Sequence, residues 1–313
     1  MRHRWPSLLV AAVAVTALTA LAPHPAHGQA FVATSVCPDD NHAKFHACAS
    51  AAAKTFNPPR TTAGTPDLSG YWRRRVAAFE DLEAHPRTPD DGGGQDVVVD
   101  PPNGKVPMQP WADARRKENA AKYLHHNAGC FLAGAVGTMY MANLYQFLQT
   151  PDHFVVVGEG LSAHPYRIVP LDGRPHIGAD IRLWQGDPVG RWEGNTLVIE
   201  TTNQNAGPFV DQRGRFFTED VRTVERLTLI DPNTLHFAAT IEDPNVYTRP
   251  FTIAFAFRRN AVAGAEVWEE ACYEANAEQM QLFRNNGLRM YPGISAAEAR
   301  ELRKAWEARE AQR

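Results

Sequence analysis

From about residue 144 onward the apolar residues of this chain recur at every second position, in short segments separated by turn residues. Phe154 to Val157 is a continuous apolar run between Pro151-Asp152 and Gly158. Arg167 to Leu171 follows and stops at Asp172-Gly173. Thr196 to Thr201 places Leu197 and Ile199 on one face, and Trp192-Glu193-Gly194-Asn195 before it is hairpin-turn chemistry. Glu225 to Ile230, the turn Asp231-Pro232-Asn233 and the alternation Leu235, Phe237, Ala239, Ile241 predict a second hairpin. Phe251, Ile253, Phe255 and Phe257 alternate in the same way, and Glu266 to Glu274 reads as a last strand. No helix long enough for a parallel crossover intervenes. The prediction is a mainly β fold, an antiparallel barrel or sandwich, with a lipocalin-like barrel among the possibilities.

Helices are expected only at the periphery. Pro110 opens one that runs to about Lys122, since a proline at the first helical position gives up a hydrogen bond that is orphaned anyway. Ser295-Ala296-Ala297-Glu298 is a capping box that starts a C-terminal helix, with Leu302 and Trp306 four apart on one face. The chain divides into a leader at 1–28, an N-terminal arm at 29–62, a β-rich domain at 63–290 and the terminal helix at 291–313. With 44% apolar residues it can fill a core, which excludes whole-chain disorder. A net charge of −3 without any block of Lys and Arg excludes the electrostatic footprint of nucleic-acid binding.

The N-terminus points to export. Arg2-His3-Arg4 precedes an apolar run of 14 residues from Leu8 to Leu21, and Ala26-His27-Gly28 supplies small residues before a cleavage point. The run is too short to span a bilayer, which takes about 20 residues. Four cysteines follow, Cys37, Cys48, Cys130 and Cys272, and an even number in an oxidising compartment reads as two disulfides. The pairing Cys37–Cys48 with Cys130–Cys272 is the expected one. The competing reading is a metal site made by Cys37, His42, His46 and Cys48.

No G-x-S-x-G elbow, phosphate loop or G-x-G-x-x-G follows a strand, so the common hydrolase and nucleotide-dependent classes drop out. Acid/base chemistry, metal chemistry or plain binding remains. The densest polar and aromatic stretch runs from His164 to Glu200. Within it Tyr166, Arg167, Trp184, Asp187, Arg191 and Trp192 are the candidate substrate-binding residues, and His176 is the candidate base, because an unperturbed imidazole changes charge near neutral pH. Glu225 shares a face with Leu227 and Leu229 and so points inward, where a carboxyl of raised pKa suits a general acid. Arg226 alternates to the other face. Glu242-Asp243-Pro244 reads as a strand end, and His125-His126 as weak metal evidence at the end of a helix.

Several stretches resemble a large family of exported, mostly uncharacterised bacterial proteins. They are Asp67-Leu68-Ser69-Gly70-Tyr71-Trp72, Pro107-Met108-Gln109-Pro110-Trp111, Pro170-Leu171-Asp172-Gly173-Arg174-Pro175-His176 and Gly190-Arg191-Trp192-Glu193-Gly194-Asn195-Thr196-Leu197-Val198. Val224-Glu225-Arg226 and Glu270-Ala271-Cys272-Tyr273-Glu274 belong to the same set. The resemblance implies an exported β-rich fold and carries no activity with it. Two departures stand out: Pro188 where the family often has Ser, and Tyr273 where it often has His.

The expectation from sequence is an exported protein that holds a small hydrophobic or aromatic molecule in a barrel pocket. It would transform that molecule without an organic cofactor, as a lyase, isomerase or hydratase, or only bind it; a metal-dependent enzyme is the further alternative. The cysteine reading has a direct check. Thiol titration of the denatured, unreduced mature protein should find no reactive thiol, and losing the long-range bridge should cost about 2–5 kcal/mol.

Overall fold

The structure is a computed structural model that describes residues 35–313 apart from 77, 89–91, 161–164, 261, 263 and 270. The leader, the first residues of the arm and His164 lie outside the described residues. Nine strands make one continuous antiparallel path. In chain order they are β1 (Gly70–Arg75), β4 (Leu144–Gln149), β5 (His153–Glu159), β6 (Tyr166–Pro170), β7 (Asp187–Glu193), β8 (Thr196–Thr202), β9 (Arg222–Asp231), β10 (Thr234–Glu242) and β11 (Phe251–Arg259). The short β2 (Val98–Asp100) extends β1's side of β11. The spatial order is β6-β5-β4-β1-β11-β10-β9-β8-β7. The mainly β prediction holds, and the sheet curls into a nearly closed barrel.

The two end strands are in contact without hydrogen-bonding to each other, and Gly190 of β7 sits at their seam. A Cβ there would lie 2.6 Å from Leu171 Cδ2 and 2.8 Å from Val169 Cγ1. Only a residue without a side chain lets the edges meet this closely.

Strand alternation turns Leu197 and Ile199 of β8, Leu227 and Leu229 of β9, and Leu235, Phe237 and Ala239 of β10 inward, all fully buried or nearly so. Cross-strand register confirms the faces, with Leu227 opposite both Leu197 and Phe237. The lumen is a packed core. Tyr145 meets Phe257 edge-on at 5.2 Å, Phe147 meets Phe154 at 5.3 Å, and Phe237 lies 4.8 Å from Phe255. Beside Ala135, Tyr140, Gln204 and Thr223 a void of about 20 Å³ has room for one water.

Glu225 does point inward as its alternation requires, and its partner is Arg167 from β6. The guanidinium donates to both carboxylate oxygens, at 2.8 and 2.6 Å, and also to Thr201 Oγ1 and the Ala135 carbonyl, both at 3.2 Å. Both side chains are completely enclosed. Arg226, on the outer face, pairs instead with Glu193.

Among the described residues five helices surround the barrel: α1 (His42–Ala52), α2 (Pro110–Lys122), α3 (Gly134–Met141), α4 (Cys272–Asn285) and α5 (Ala296–Glu310). Pro110 starts α2 and Ser295 Oγ accepts from Glu298 N at 3.1 Å to cap α5, as the sequence predicts. The predicted strand at Glu266 to Glu274 is a correction. Residues 265–269 form no strand, and α4 begins at Cys272. Both sides of β11 are already paired and the barrel edges face each other, so a further strand has nowhere to dock. The last short pair, β3 (Tyr123–Leu124) and β12 (Arg289–Met290), is parallel and stands apart from the barrel.

Two disulfides join Cys37 to Cys48 and Cys130 to Cys272, and no described cysteine is free. The first holds α1, which packs on β2, β10 and β11. There His46 Nδ1 and His236 Nε2 share one hydrogen bond of 3.0 Å. Burial pushes His236 down to about 3, with the neighbouring His46 adding to the effect, and burial lowers His46 as well.

Two measurements test this frame. Glu225→Ala leaves the Arg167 charge buried and unpaired, and chemical denaturation should show a loss of about 3–5 kcal/mol. The histidine pair is neutral when folded and titrates near 6.5 when unfolded. Its stabilisation is therefore complete above pH 6.5 and is lost as pH falls below that, for His236 towards about 3 and by up to about 1.4 kcal/mol per pH unit. His236→Phe should reduce the slope of that part of the stability profile, to which the buried His42, His125 and His126 also contribute; an unchanged slope would remove the pair as a contributor.

Candidate functional site

The sheet divides the residues predicted for the site between its two faces. Glu225 looks into the lumen with Arg167. Asp187 stands opposite Thr202, on the outward face, and His176 joins it there, with Nδ1 2.8 Å from Asp187 Oδ2. The same oxygen accepts from Ile177 N at 3.0 Å. Asp187 thus orients the ring and leaves Nε2 available, but no contact links this pair to Glu225. Tyr166 is exposed, and Arg191 pairs with Glu193 on the surface. Trp192 packs against the core, while Trp184 stacks on Phe131 with centroids 4.9 Å apart. These side chains are thus spread over the lumen, the outer face of the sheet and the surrounding loops. Bidentate engagement with Arg167 also makes Glu225 a closed ion pair with no face left for a substrate.

Among the described residues no three His, Cys, Asp or Glu side chains converge as metal ligands do. Cys37 and Cys48 are spent on each other, so the metal reading of the arm loses both its sulfur ligands.

A formed cavity lies elsewhere, between α5 and the loop that joins β10 to β11. Its volume is about 640 Å³, within the range of small-molecule sites. Trp111, Tyr247 and Trp306 supply aromatic wall, together with Pro110, Pro244 and Pro250. Glu242, Asp243, Arg249, Arg303 and Glu307 bring charge to it.

Its construction starts at Gln109, the residue before α2. Gln109 N donates to the Val246 carbonyl at 2.9 Å and its amide to the Pro244 carbonyl at 2.8 Å. Gln109 Oε1 in turn accepts from the Trp111 indole N–H at 3.1 Å. Thr248 N bonds the Pro107 carbonyl at 2.8 Å, and the Tyr247 hydroxyl donates to the Phe216 carbonyl at 2.8 Å. The loop is thereby stitched to the entry of α2. The fourth side is α5, which lays Leu302 and Trp306 against the core.

Asp243 is the buried carboxylate of the cavity. Oδ2 accepts from Thr218 N at 2.6 Å and Thr218 Oγ1 at 3.0 Å, and Oδ1 from Asn245 N at 3.0 Å. Burial nevertheless dominates these donors and raises its pKa, and burial pushes the Tyr247 hydroxyl well up. A carboxyl whose pKa is raised by burial beside aromatic walls is the kind of group that can give a proton to a bound molecule.

The sequence shows Glu242-Asp243-Pro244 only as the end of a strand, and Trp111 and Trp306 only as apolar helix positions. The signal that unites them is spatial: residues 109–111, 242–250 and 303–310 meet through pairing of the loop with the entry of α2 and docking of α5. Compared with known proteins, the chain matches no family model and no curated sequence.

Proposed function

We propose that this chain is an exported protein that binds a small hydrophobic or aromatic molecule in the cavity between α5 and the β10–β11 loop. Acid/base transformation of that molecule is the leading reading, with Asp243 as the proton donor and no organic cofactor. The observation that carries the proposal is the cavity itself: a preformed space of about 640 Å³ with aromatic walls and one buried carboxylate of raised pKa. Export is supported by the leader-like N-terminus, by the two disulfides and by the resemblance to a family of exported proteins. No helix among the described residues is long and apolar enough to cross a membrane.

Compared with a lumenal ligand, this placement respects the packing, because the barrel interior is filled by its own rings. A second reading, binding without chemistry, is favoured by the three hydrogen bonds that hold the Asp243 carboxylate in place. Its position would then serve loop geometry, and the cavity would be a carrier site.

The test is native mass spectrometry of protein taken from its own periplasm or culture medium, followed by variants. Trp306 is half-buried at the cavity wall and also packs against the core, so Trp306→Ala should weaken retention of the co-purified molecule at least tenfold and lower the melting temperature, with the protein still folded at the assay temperature. If the retained molecule stays equally bound, the cavity is not its site. For an enzyme, Asp243→Asn should lower turnover by about 10²–10⁴-fold. For a carrier it should alter affinity while no product forms.

A further inference from the structure

The charges that meet in the cavity between α5 and the β10–β11 loop do not cancel within the chain. Glu307 takes Arg303 at 2.8 Å, and Glu310 takes Arg313 at 3.0 Å. Arg249 gives its guanidinium to Asp100 at 2.7 Å, and Asp100 stands outside the lining. Arg222 is held by Glu200 at 2.7 Å and reaches Glu242 only at 3.9 Å. Asp243 lines the cavity, is 1% exposed and forms no ion pair among the described residues. Its hydrogen bonds come from neutral donors, Thr218 N and Oγ1 and Asn245 N. The charged group that acts on it is Asp220, of the same sign, and Asp220 is itself engaged by Arg300 at 3.5 Å. Two adjacent carboxylates, Glu242 and Asp243, therefore face the cavity with little or no cation of their own. A charge buried like that of Asp243 is ordinarily paired.

The wall around them narrows what can pair it. An anion would meet both carboxylates and find Arg249 and Arg303 already taken. A hard metal ion takes about six or more oxygens, and no three ligating side chains converge here. Trp111, Tyr247 and Trp306 suit an organic cation, because the face of an aromatic ring is electron-rich and attracts a cation within about 6 Å. The chain already shows that attraction. Arg309 Cζ lies over the Trp306 ring, 5.7 Å from its centroid, without joining the cavity wall.

We propose, on the cavity reading above, that the molecule held there is an arylalkylamine whose ammonium group is met by Asp243 and Glu242 and whose ring lies against Trp306. The proton transfer assigned to Asp243 then has an acceptor. Where the carboxyl is protonated and the amine arrives as free base, the O–H bond breaks, an N–H bond forms, and carboxylate and ammonium remain. Where the carboxyl is ionised, it meets the ammonium ion directly. Folding has already taken Asp243 out of water, so the ligand bears only its own desolvation on binding.

The test is calorimetric titration of the intact protein at about pH 7 with 2-phenylethylamine, 2-phenylethanol and 3-phenylpropanoate. The three share a ring and a two-carbon chain and end in a cationic, a neutral and an anionic group. The amine should bind at least tenfold more tightly than the alcohol, and the anion should bind most weakly. Asp243→Asn should bring the amine down to the affinity of the alcohol. Glu242 is exposed, so Glu242→Gln should fold normally; it should weaken the amine at least threefold and leave the alcohol unchanged. Equal affinities for amine and alcohol in the wild type would overturn the proposal and leave the cavity reading standing. So would a preference for the amine that survives in Glu242→Gln and in a folded Asp243→Asn. If none of the three probes binds, or if Trp306→Ala binds amine and alcohol as well as the wild type does, the cavity reading falls and the proposal with it.

Discussion

Inside the barrel, Arg167 on one end strand reaches Glu225, Thr201 and the Ala135 carbonyl, and so ties β6 to β9, β8 and α3 across the lumen. Its position matters because β6 and β7 close the barrel by contact alone. Where ladder hydrogen bonds would normally join two strands, Gly190 offers close approach and the ion pair offers a tether from within. Taking two charges out of water costs several kcal/mol each, and their mutual attraction roughly repays it. The pair therefore adds little net stability compared with an apolar filling of the same volume. Its contribution is to define one arrangement: an unpaired Arg167 or Glu225 in that interior is far costlier than the paired state, so a sheet that opens at the seam must lose both partners at once.

A lumen sealed by its own rings and ions also decides where chemistry can happen. Barrels that bind ligands keep a hollow interior, whereas here Trp72, Tyr145, Phe147, Phe237 and Phe257 fill it. Open space is found instead in the covering layer of helices and loops, where α2 brings Trp111 to a cavity wall and Phe216 packs edge-on against that ring. Side chains in this layer have to pack against the barrel and also face outward, which is where polar groups can be buried without local partners.

Much of the barrel is legible in the sequence, because each strand carries its own two-residue period. The inward face of β9 follows from Glu225, Leu227 and Leu229 alone, and the starts of α2 and α5 follow from Pro110 and from the Ser295 and Glu298 pair. Alternation reports which faces of a segment are apolar and says nothing of whether an edge is free to receive it, which is why 266–274 reads as a strand and is none. The same limit hides the site. Nothing near Glu225 announces Arg167, 58 positions away, as its partner. His176 and Glu225 lie close together in a count of suggestive residues, yet strand register sends them to opposite faces. Asp243 and Trp306 look structural until α5 docks.

The sheet order has a consequence for how the chain reaches this state. β1 is the first strand of the barrel to be synthesised, yet it sits between β4 and β11, and β11 is the last of the nine. The pairs β4–β5–β6, β7–β8 and β9–β10–β11 are sequence neighbours and can assemble locally, while Trp72 and its strand wait for both flanks to exist. Joining segments so distant pays a large loop-closure cost before any contact repays it, and such topologies fold slowly. For a chain made from its N-terminus, the earliest strand is the keystone laid last. Until β11 follows it, β1 has a neighbour on one side only, and the unfinished barrel shows an open gap along the strand that bears its largest buried ring.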